Sequence, residues 1–86
     1  MSAQQIEACL RAALAPTQLR VQDDSAQHAG HAGAREGGHY TVHITSDRFS
    51  GLGRLARHRL VYDSLGPLAA RGVHALAIVA KAPAEP

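Results

Sequence analysis

Histidines are the side chains of this 86-residue sequence best suited to chemistry, and there are six of them. A neutral imidazole is a good ligand for borderline and soft metal ions, and it changes charge near physiological pH. Three histidines lie with four glycines in the stretch HAGHAGAREGGHY, residues 28–40. The others are His43, His58 and His74. Metal binding is therefore the first chemistry to consider.

A complete metal site cannot be recognised in the sequence. Structural zinc sites use four His or Cys ligands, usually in closely spaced pairs, and Cys9 is the single cysteine of the chain. Cys9 falls within an apolar stripe, which predicts a buried structural thiol rather than a reactive one. Two histidines of this chain could instead provide half of a coordination shell whose thiolates belong to another molecule.

Each histidine also has an ordinary structural interpretation. His43 is predicted on the polar face of a strand, His58 on a charged helix surface, and His39 at the start of a strand. His74 is predicted to be partly buried, but it stands where the last strand begins and can project a nitrogen outward. Residue types and spacing alone leave both interpretations open.

The remaining polar motifs give less support to chemistry. Ser25 and His28 are close in sequence, but no nucleophile elbow or third orienting acid accompanies them, so a hydrolase is not expected. Four basic residues share one predicted helix: Arg54, Arg57, His58 and Arg59. They could contact phosphates, or they could simply keep a helix surface charged.

Composition predicts one globular domain over residues 1–86. Hydrophobic residues make up 45% of the chain and charged residues 19%, a balance typical of folded domains, and the net charge of +2 identifies no partner. The start, MSAQQIEACLRAAL, lacks a secretory signal pattern, and no segment approaches the ~18 apolar residues of a membrane span. We expect a cytoplasmic protein without membrane contact, and a flexible tail over residues 82–86.

Hydrophobic periodicity predicts the elements. A helix over residues 3–14 has Ser2 as its cap, and alternating strands are predicted over residues 19–22 and 40–46. A helix beginning near Arg54 is interrupted at Gly66-Pro67, and a strand covers residues 73–80. The residues of this second helical region predicted to face the core are Leu55, Leu60, Val61, Tyr62, Leu65 and Leu68.

The order of these elements predicts an α+β fold. The order is helix, strand, strand, helix or helix pair, strand. The first two strands are expected to be antiparallel neighbours, and the helical crossover favours a parallel pairing of the third strand with a right-handed connection. The sequence thus predicts a three-stranded mixed sheet with helices on one face.

Three segments carry a resemblance to a known family. They are Ser46-Asp47-Arg48-Phe49-x-Gly51, Arg57-His58-Arg59-x-Val61-Tyr62 and Val73-His74-Ala75-Leu76. Together with DDSAQHAGHAG they resemble the BolA family, and the resemblance covers about residues 6–85. It implies a fold similar to the class II KH domain, with the order α-β-β-α-α-β that periodicity also predicts.

The resemblance also implies a function without catalysis. BolA-like proteins are partners of monothiol CGFS glutaredoxins, with which they share a [2Fe-2S] cluster ligated by the glutaredoxin cysteine and glutathione. The implied ligands of this chain are His74 and a loop histidine. His28 matches the Ser-x-x-His placement from Ser25, and His31 is a further candidate. The isolated chain is expected to hold no cofactor and to be a monomer, with an apo homodimer as the alternative.

A second function implied by the resemblance is nucleic-acid binding in transcription regulation. KH modules grip the nucleic-acid backbone with a G-x-x-G loop, in place of which this chain carries Gly51-Leu52-Gly53. The basic helix residues would then supply phosphate contacts. The two hypotheses predict different interfaces, one around His74 and the other on this helix.

Overall fold

The computed structural model describes residues 1–25 and 37–86 and consists of two α-helices and one three-stranded sheet. The elements are α1 (Ala3–Leu14), β1 (Gln18–Asp23), β2 (Gly38–Thr45), α2 (Arg54–Leu65) and β3 (Val73–Lys81). Short 3-10 turns lie at Asp47–Phe49 and Ala69–Arg71. The predicted α+β class is confirmed, and the second member of the predicted helix pair is the single turn Ala69–Arg71.

The sheet has the order β1-β2-β3. β1 is antiparallel to β2, and β3 is parallel to β2, as the sequence predicts for a mixed sheet with one crossover. The strand residues directed to the core are Leu19, Val21, Tyr40, Val42, Ile44, Leu76, Ile78 and Ala80. Both helices pack against this face, so the alternate residues of the strands form an open sheet face.

Helix α1 begins at its predicted cap. The Ser2 side chain accepts a hydrogen bond from the Gln5 N–H at 3.1 Å, and the Gln5 side chain accepts one from the Ser2 N–H at 2.7 Å. This reciprocal capping box satisfies two backbone donors at the helix start. The buried stripe is Ile6, Leu10 and Leu14. Cys9 lies beside it and is half-buried rather than enclosed.

Ser46 joins the end of β2 to the end of α1. Its side chain is fully buried and donates a hydrogen bond to the Leu14 carbonyl at 2.6 Å. It also accepts one from the Arg48 N–H at 3.1 Å, which starts the 3-10 turn that places Phe49 in the core. The Ser46-Asp47-Arg48-Phe49 motif therefore has a structural role, because its two buried members connect β2, α1 and the core.

The core-facing residues predicted for helix α2 are confirmed in part. Val61 and Leu65 are fully buried, as predicted. Leu55 and Tyr62, also expected in the core, are 65% and 39% exposed, and that part of the prediction is wrong. Apolar residues occur on more than one face of α2, so periodicity does not select the single face that the core covers.

The interruption at Gly66-Pro67 is confirmed as the end of α2. The helix stops at Leu65, and Gly66 has a positive φ of 77° with its N–H donating to the Tyr62 carbonyl.

Neither α2 nor α1, the helices in the described residues, is long and apolar enough to cross a membrane.

The C-terminal tail has contacts in the structure. Ala82 is 7% exposed, and its N–H donates to Glu85 Oε1 at 2.6 Å. The same carboxylate oxygen lies 2.7 Å from a guanidinium nitrogen of Arg57. The flexibility expected for residues 82–86 stays a prediction, but these contacts hold the tail as far as Glu85 against α2.

Candidate functional site

His74 lies at the start of β3, where the pairing of β2 with β3 is irregular. Gly38 pairs with Val73 and His39 pairs with Ala75, so β3 has one extra residue at this point. That residue is His74, and it is exposed. A β-bulge redirects a side chain and commonly adjoins functional sites. The predicted projection of His74 away from the fold therefore has a local cause.

His39 lies directly beside His74. The centroids of the two imidazole rings are 5.0 Å apart, and the ring planes are inclined at 50°. This separation is within the usual range for packed aromatic rings. The Nε2 atom of His39 is inaccessible to solvent. The sheet thus brings together two imidazoles of different accessibility.

Gly37 lets the start of β2 approach the start of β3, and Gly38 leaves room for the Tyr40 ring. At Gly37, φ is 142°, and a Cβ would lie 2.8 Å from the Gly72 carbonyl oxygen and 3.1 Å from the His74 nitrogen. At Gly38, a Cβ would lie 2.5 Å from the Tyr40 ring. A side chain at either position would require its neighbours to move. Part of the glycine content of residues 28–40 is therefore explained by the close contact that positions His74.

The end of β1 is tied to the start of β2 at the same place. The Ser25 hydroxyl oxygen accepts a hydrogen bond from the His39 N–H at 3.0 Å, and the Asp24 N–H donates to the His39 carbonyl at 2.7 Å. Asp23 accepts from the Ser25 N–H at 2.9 Å, and this hydrogen bond lowers the pKa of the Asp23 carboxyl. The first residues after β1 are therefore fixed beside His39.

The other candidate ligands lie elsewhere in the chain. His28 and His31 fall within residues 26–36, outside the described residues. His43 lies on the open sheet face, where its Nε2 is 3.4 Å from an Arg20 guanidinium nitrogen, and His58 lies on α2. In residues 1–25 and 37–86, no three His, Cys, Asp or Glu side chains are arranged to hold a metal ion.

The basic residues of α2 divide into two groups. Arg57 is mostly buried and donates to the Leu52 carbonyl at 2.8 Å and to the Ala80 carbonyl at 3.2 Å, in addition to its ion pair with Glu85. Its guanidinium therefore has a structural role. Arg54 and Arg59 are exposed, so the predicted contact with phosphates is accessible to these two side chains.

The open sheet face carries a row of polar contacts. Arg20 donates to Gln22 at 3.3 Å, and Gln22 donates to Asp24 at 2.8 Å. Asp24 also accepts from the Thr41 hydroxyl at 2.5 Å. A groove of about 400 Å³ lies beside Arg20. These contacts order the open sheet face along β1 as far as Asp24.

His39 is the site residue that sequence analysis did not identify as functional. Its predicted position at a strand start is correct, but its proximity to His74 depends on the parallel register of β2 and β3. A pairing between residues that are far apart in sequence is not encoded in the periodicity of either strand. The sequence signal nearest to it is Gly37-Gly38 before His39, which indicates close approach of another backbone.

Comparisons with known proteins agree with the fold. A family model described as "BolA-like protein" matches residues 10–85. SufE-like protein 1, chloroplastic/mitochondrial, of Arabidopsis thaliana is 47% identical over 78 residues, 84% of this chain. The solved BolA domain of SufE1 from that plant superposes with a TM-score of 0.84 and 46% identity, covering 98% of this chain and 94% of that one.

Two further relatives extend the comparison. BolA-like protein 1 of Mus musculus is 44% identical over 84 residues, 93% of this chain. The protein named DNA-binding transcriptional regulator BolA, of Escherichia coli, is 42% identical over 78 residues, covering 91% of this chain and 72% of the relative. The chain spans 21% of the length of SufE-like protein 1 and 60% of the mouse protein.

Proposed function

The chain belongs to the BolA-like family, and on this premise we propose that it is a non-enzymatic partner of a monothiol CGFS glutaredoxin. The two proteins would share a glutathione-ligated [2Fe-2S] cluster in iron-sulfur trafficking or iron regulation. His74 would be one ligand from this chain, and His28 or His31 of the loop the other. The cluster would supply the redox and iron chemistry.

The observation that carries the proposal is the accessibility of His74. A histidine that completes a centre held by another protein must be reachable from outside its own fold. His74 is exposed at a bulge of β3, while the adjacent His39 has an inaccessible Nε2. Enclosure of His74 among aliphatic side chains would have argued against the proposal.

The ligand atoms of this chain fit a metal centre shared with another protein better than one held by this chain alone. Iron-sulfur clusters accept imidazole in place of thiolate at some positions. The single thiol, Cys9, lies on α1, where a guanidinium nitrogen of Arg71 is 3.9 Å from its sulfur. Thiolate ligands at His74 would therefore have to come from a partner, as a glutaredoxin and glutathione would provide.

Imidazole ligation has two physical consequences for such a cluster. Replacing thiolates by neutral imidazoles makes the cluster less negative and raises its reduction potential. Imidazole must also be deprotonated to bind, so acid weakens ligation. Both effects favour a labile cluster that is passed on or sensed over a permanent electron carrier.

The direct test is reconstitution with a monothiol glutaredoxin, iron, sulfide and glutathione. The wild-type mixture should give a heterodimer whose visible circular dichroism differs from that of the glutaredoxin homodimer. His74→Ala should lose this signal. The matched control is His43→Ala, which removes an imidazole of β2 on the open sheet face and should keep it. A wild-type spectrum from His74→Ala would disprove the ligand assignment.

The loop ligand is tested separately. His28→Ala and His31→Ala are compared in the same reconstitution, and the variant that loses the heterodimer spectrum identifies the ligand. We expect the loss in His28→Ala, because Ser25 precedes it with the Ser-x-x-His spacing and is fixed beside His39. Loss in His31→Ala alone would assign the ligand to His31.

A second candidate function is nucleic-acid binding in transcription regulation. It is favoured by the name of the Escherichia coli relative and by the exposed guanidinium groups of Arg54 and Arg59. His58 lies between them and is half-exposed. The mostly buried Arg57 would stabilise the helix that presents them.

Salt dependence distinguishes this second function. Each lost phosphate contact should reduce the slope of log affinity against log salt concentration by about 1 on duplex DNA. Arg54→Gln and Arg59→Gln should each show this reduction, whereas Arg11→Gln on α1 should not. Absent or salt-insensitive binding by the wild-type chain would exclude the candidate.

Location and assembly follow from the same proposal. We propose a cytoplasmic protein that is monomeric without its partner, with an apo homodimer as the alternative. The plant relative is named chloroplastic/mitochondrial, so fractionation of cells is the relevant measurement for location. Light scattering of the purified apo protein at several concentrations distinguishes a monomer from a homodimer.

A further inference from the structure

The geometry points to His39 as the positioning residue that orients the His74 imidazole toward an external ligand. This inference rests on the proposed function for its biological meaning, but the orientation itself can be measured in the apo chain. It adds to the proposal a residue that acts through His74 and not as a ligand.

The His39 and His74 rings are in contact. With centroids 5.0 Å apart and planes at 50°, the His39 ring covers part of the His74 ring. Exposed side chains that lack packing contacts change rotamer within nanoseconds. Packing against the His39 ring restricts the directions in which the His74 nitrogens can point.

The His39 backbone is fixed on both sides. Its N–H donates to the Ser25 hydroxyl at 3.0 Å, and its carbonyl accepts from the Asp24 N–H at 2.7 Å. The preceding Gly38 N–H donates to the Gly72 carbonyl at 2.8 Å, immediately before β3. His39 is thus connected to the end of β1 and to the start of β3 within one residue of itself.

The pairing of β3 is irregular at His74. Because His74 is the extra residue of the bulge, the regular alternation of the strand does not by itself determine the direction of its side chain. Contacts with neighbouring groups therefore contribute to that direction, and the His39 ring is one such contact.

The different accessibility of the two rings separates positioning from ligation. The Nε2 atom of His39 is inaccessible to solvent, so a metal centre presented by another protein cannot reach this atom without a rearrangement. His74 is exposed. Metal-binding histidines are commonly oriented by a second layer of residues, whose loss costs about tenfold to a hundredfold in metal affinity.

Ser25 lies between His39 and the loop histidines in this arrangement. The residue that holds the His39 N–H also begins the segment that carries His28 three positions later. The same hydrogen bond therefore joins the His39 backbone to the residue at which that segment begins. Loss of the Ser25 hydroxyl should affect His74 less than loss of the His39 ring, because it removes only one of the backbone contacts.

The test compares His39→Phe, which keeps an aromatic ring, with His39→Ala, which removes it, and uses His43→Ala as the control. The apo readout is the χ1 rotamer of the His74 side chain from three-bond NMR couplings, with urea unfolding to confirm that each variant is folded. We expect rotamer-averaged couplings for His74 in His39→Ala and near-wild-type couplings in His39→Phe. Unchanged His74 couplings in His39→Ala would overturn the inference.

The readout in the complex is the lifetime of the shared cluster, followed by visible circular dichroism. His39→Ala should keep the wild-type spectral shape but lose the cluster about tenfold faster, and His39→Phe should restore the lifetime. Complete loss of the spectrum in His39→Ala, as expected for His74→Ala, would identify His39 as a ligand and overturn a positioning role. Equal loss in the Phe and Ala variants would also overturn it.

The two proposals can fail independently. If the wild-type chain assembles no shared cluster, the proposed function fails, while the NMR comparison of His74 still decides the positioning role. If His39→Ala does not fold, His39→Leu, which fills the space without an aromatic ring, takes its place beside His39→Phe. His39→Leu should then give rotamer-averaged couplings for His74 while His39→Phe keeps them near wild type, and unchanged couplings in His39→Leu would contradict the inference.

Discussion

Single residues decide where His74 lies. Gly37 is one such residue, because its absent side chain lets its backbone approach the Gly72 carbonyl and the His74 nitrogen. Gly51 also has a positive φ, 77°, but nothing lies within 4 Å of the position of its Cβ. Substitutions at Gly37 and Gly51 therefore distinguish the free-energy cost of backbone strain from that of a steric clash.

Gly37→Ala should be clearly more destabilising than Gly51→Ala. Backbone strain at a positive φ costs of order 1–3 kcal/mol, and only Gly37→Ala adds the clash. Urea unfolding measures the difference, and amide NMR should show a displaced His74 signal in Gly37→Ala alone. Equal losses of stability, with an unmoved His74 signal, would show that the close approach is not required.

At the scale of elements, β3 is an edge strand of the sheet, and Arg57 of α2 contacts its C-terminal end. The Ser46 N–H donates to the Lys81 carbonyl at 3.0 Å, whereas the Ala80 carbonyl accepts from Arg57. The carbonyls of Ala80 and Lys81 thus point to opposite edges of β3, and Arg57 contacts the edge that faces away from β2. Unpaired edges invite pairing with other chains, so this contact protects the end of the strand.

Arg57→Met should destabilise the fold by about 2 kcal/mol, because the Leu52 and Ala80 carbonyls and the Glu85 carboxylate lose their charged donor. Arg59→Met, on the exposed side of the same helix, should stay within about 0.5 kcal/mol of wild type. Chemical denaturation compares the two. Similar small effects would mean that the Arg57 contacts do not contribute to stability.

The contact of the tail with α2 should depend on pH. Hydrogen bonds from Arg57 and from the Ala82 N–H lower the pKa of Glu85 in the folded chain. Its stabilisation is then complete above the unfolded value of about 4.3 and is lost as pH falls through the lowered folded pKa. Unfolding free energies measured from neutral pH downward should therefore converge for wild type and Glu85→Gln in acid.

A control removes the general effect of charge from this comparison. Glu7→Gln deletes a carboxylate that pairs with Arg11 at 2.9 Å on the surface of α1, away from the tail. It should not reproduce the convergence seen with Glu85→Gln. A gap between wild type and Glu85→Gln that widens on acidification would contradict the assigned direction of the pKa shift.

At the scale of the whole molecule, one core joins both helices to the sheet. Its largest fully buried side chains come from α1, β2, the 3-10 turn and α2, and they include Ile6, Val42, Phe49 and Leu65. A domain of this length is stabilised by only about 5–10 kcal/mol. The loss of one large core side chain is therefore a substantial fraction of the total.

Leu65→Ala should cost about 2–5 kcal/mol, because it leaves a cavity in the core. Leu55→Ala, the same substitution on the same helix, should cost about 0.5 kcal/mol or less, since its side chain is already mostly in water. Thermal or chemical unfolding distinguishes them. Comparable losses of stability in the two variants would show that Leu55 contributes to the core, as periodicity predicts.

The sequence by itself determined the class of the fold, the order of its elements and its family. Capping at Ser2, alternation over Tyr40, Val42 and Ile44, and the break at Gly66-Pro67 are local signals, and each is confirmed. Such signals suffice because backbone conformation and strand faces follow from neighbouring residues. His74 is likewise predicted at the start of the last strand, and it lies there.

Only the tertiary structure decided the orientation of α2 and the contact of His39 with His74. The side of α2 that faces inward depends on what it meets, and Arg57 faces inward because β3 and the tail offer it acceptors. The two rings meet because β2 and β3 pair in one parallel register with a bulge. These are contacts between distant parts of the chain, which the periodicity of each element does not specify.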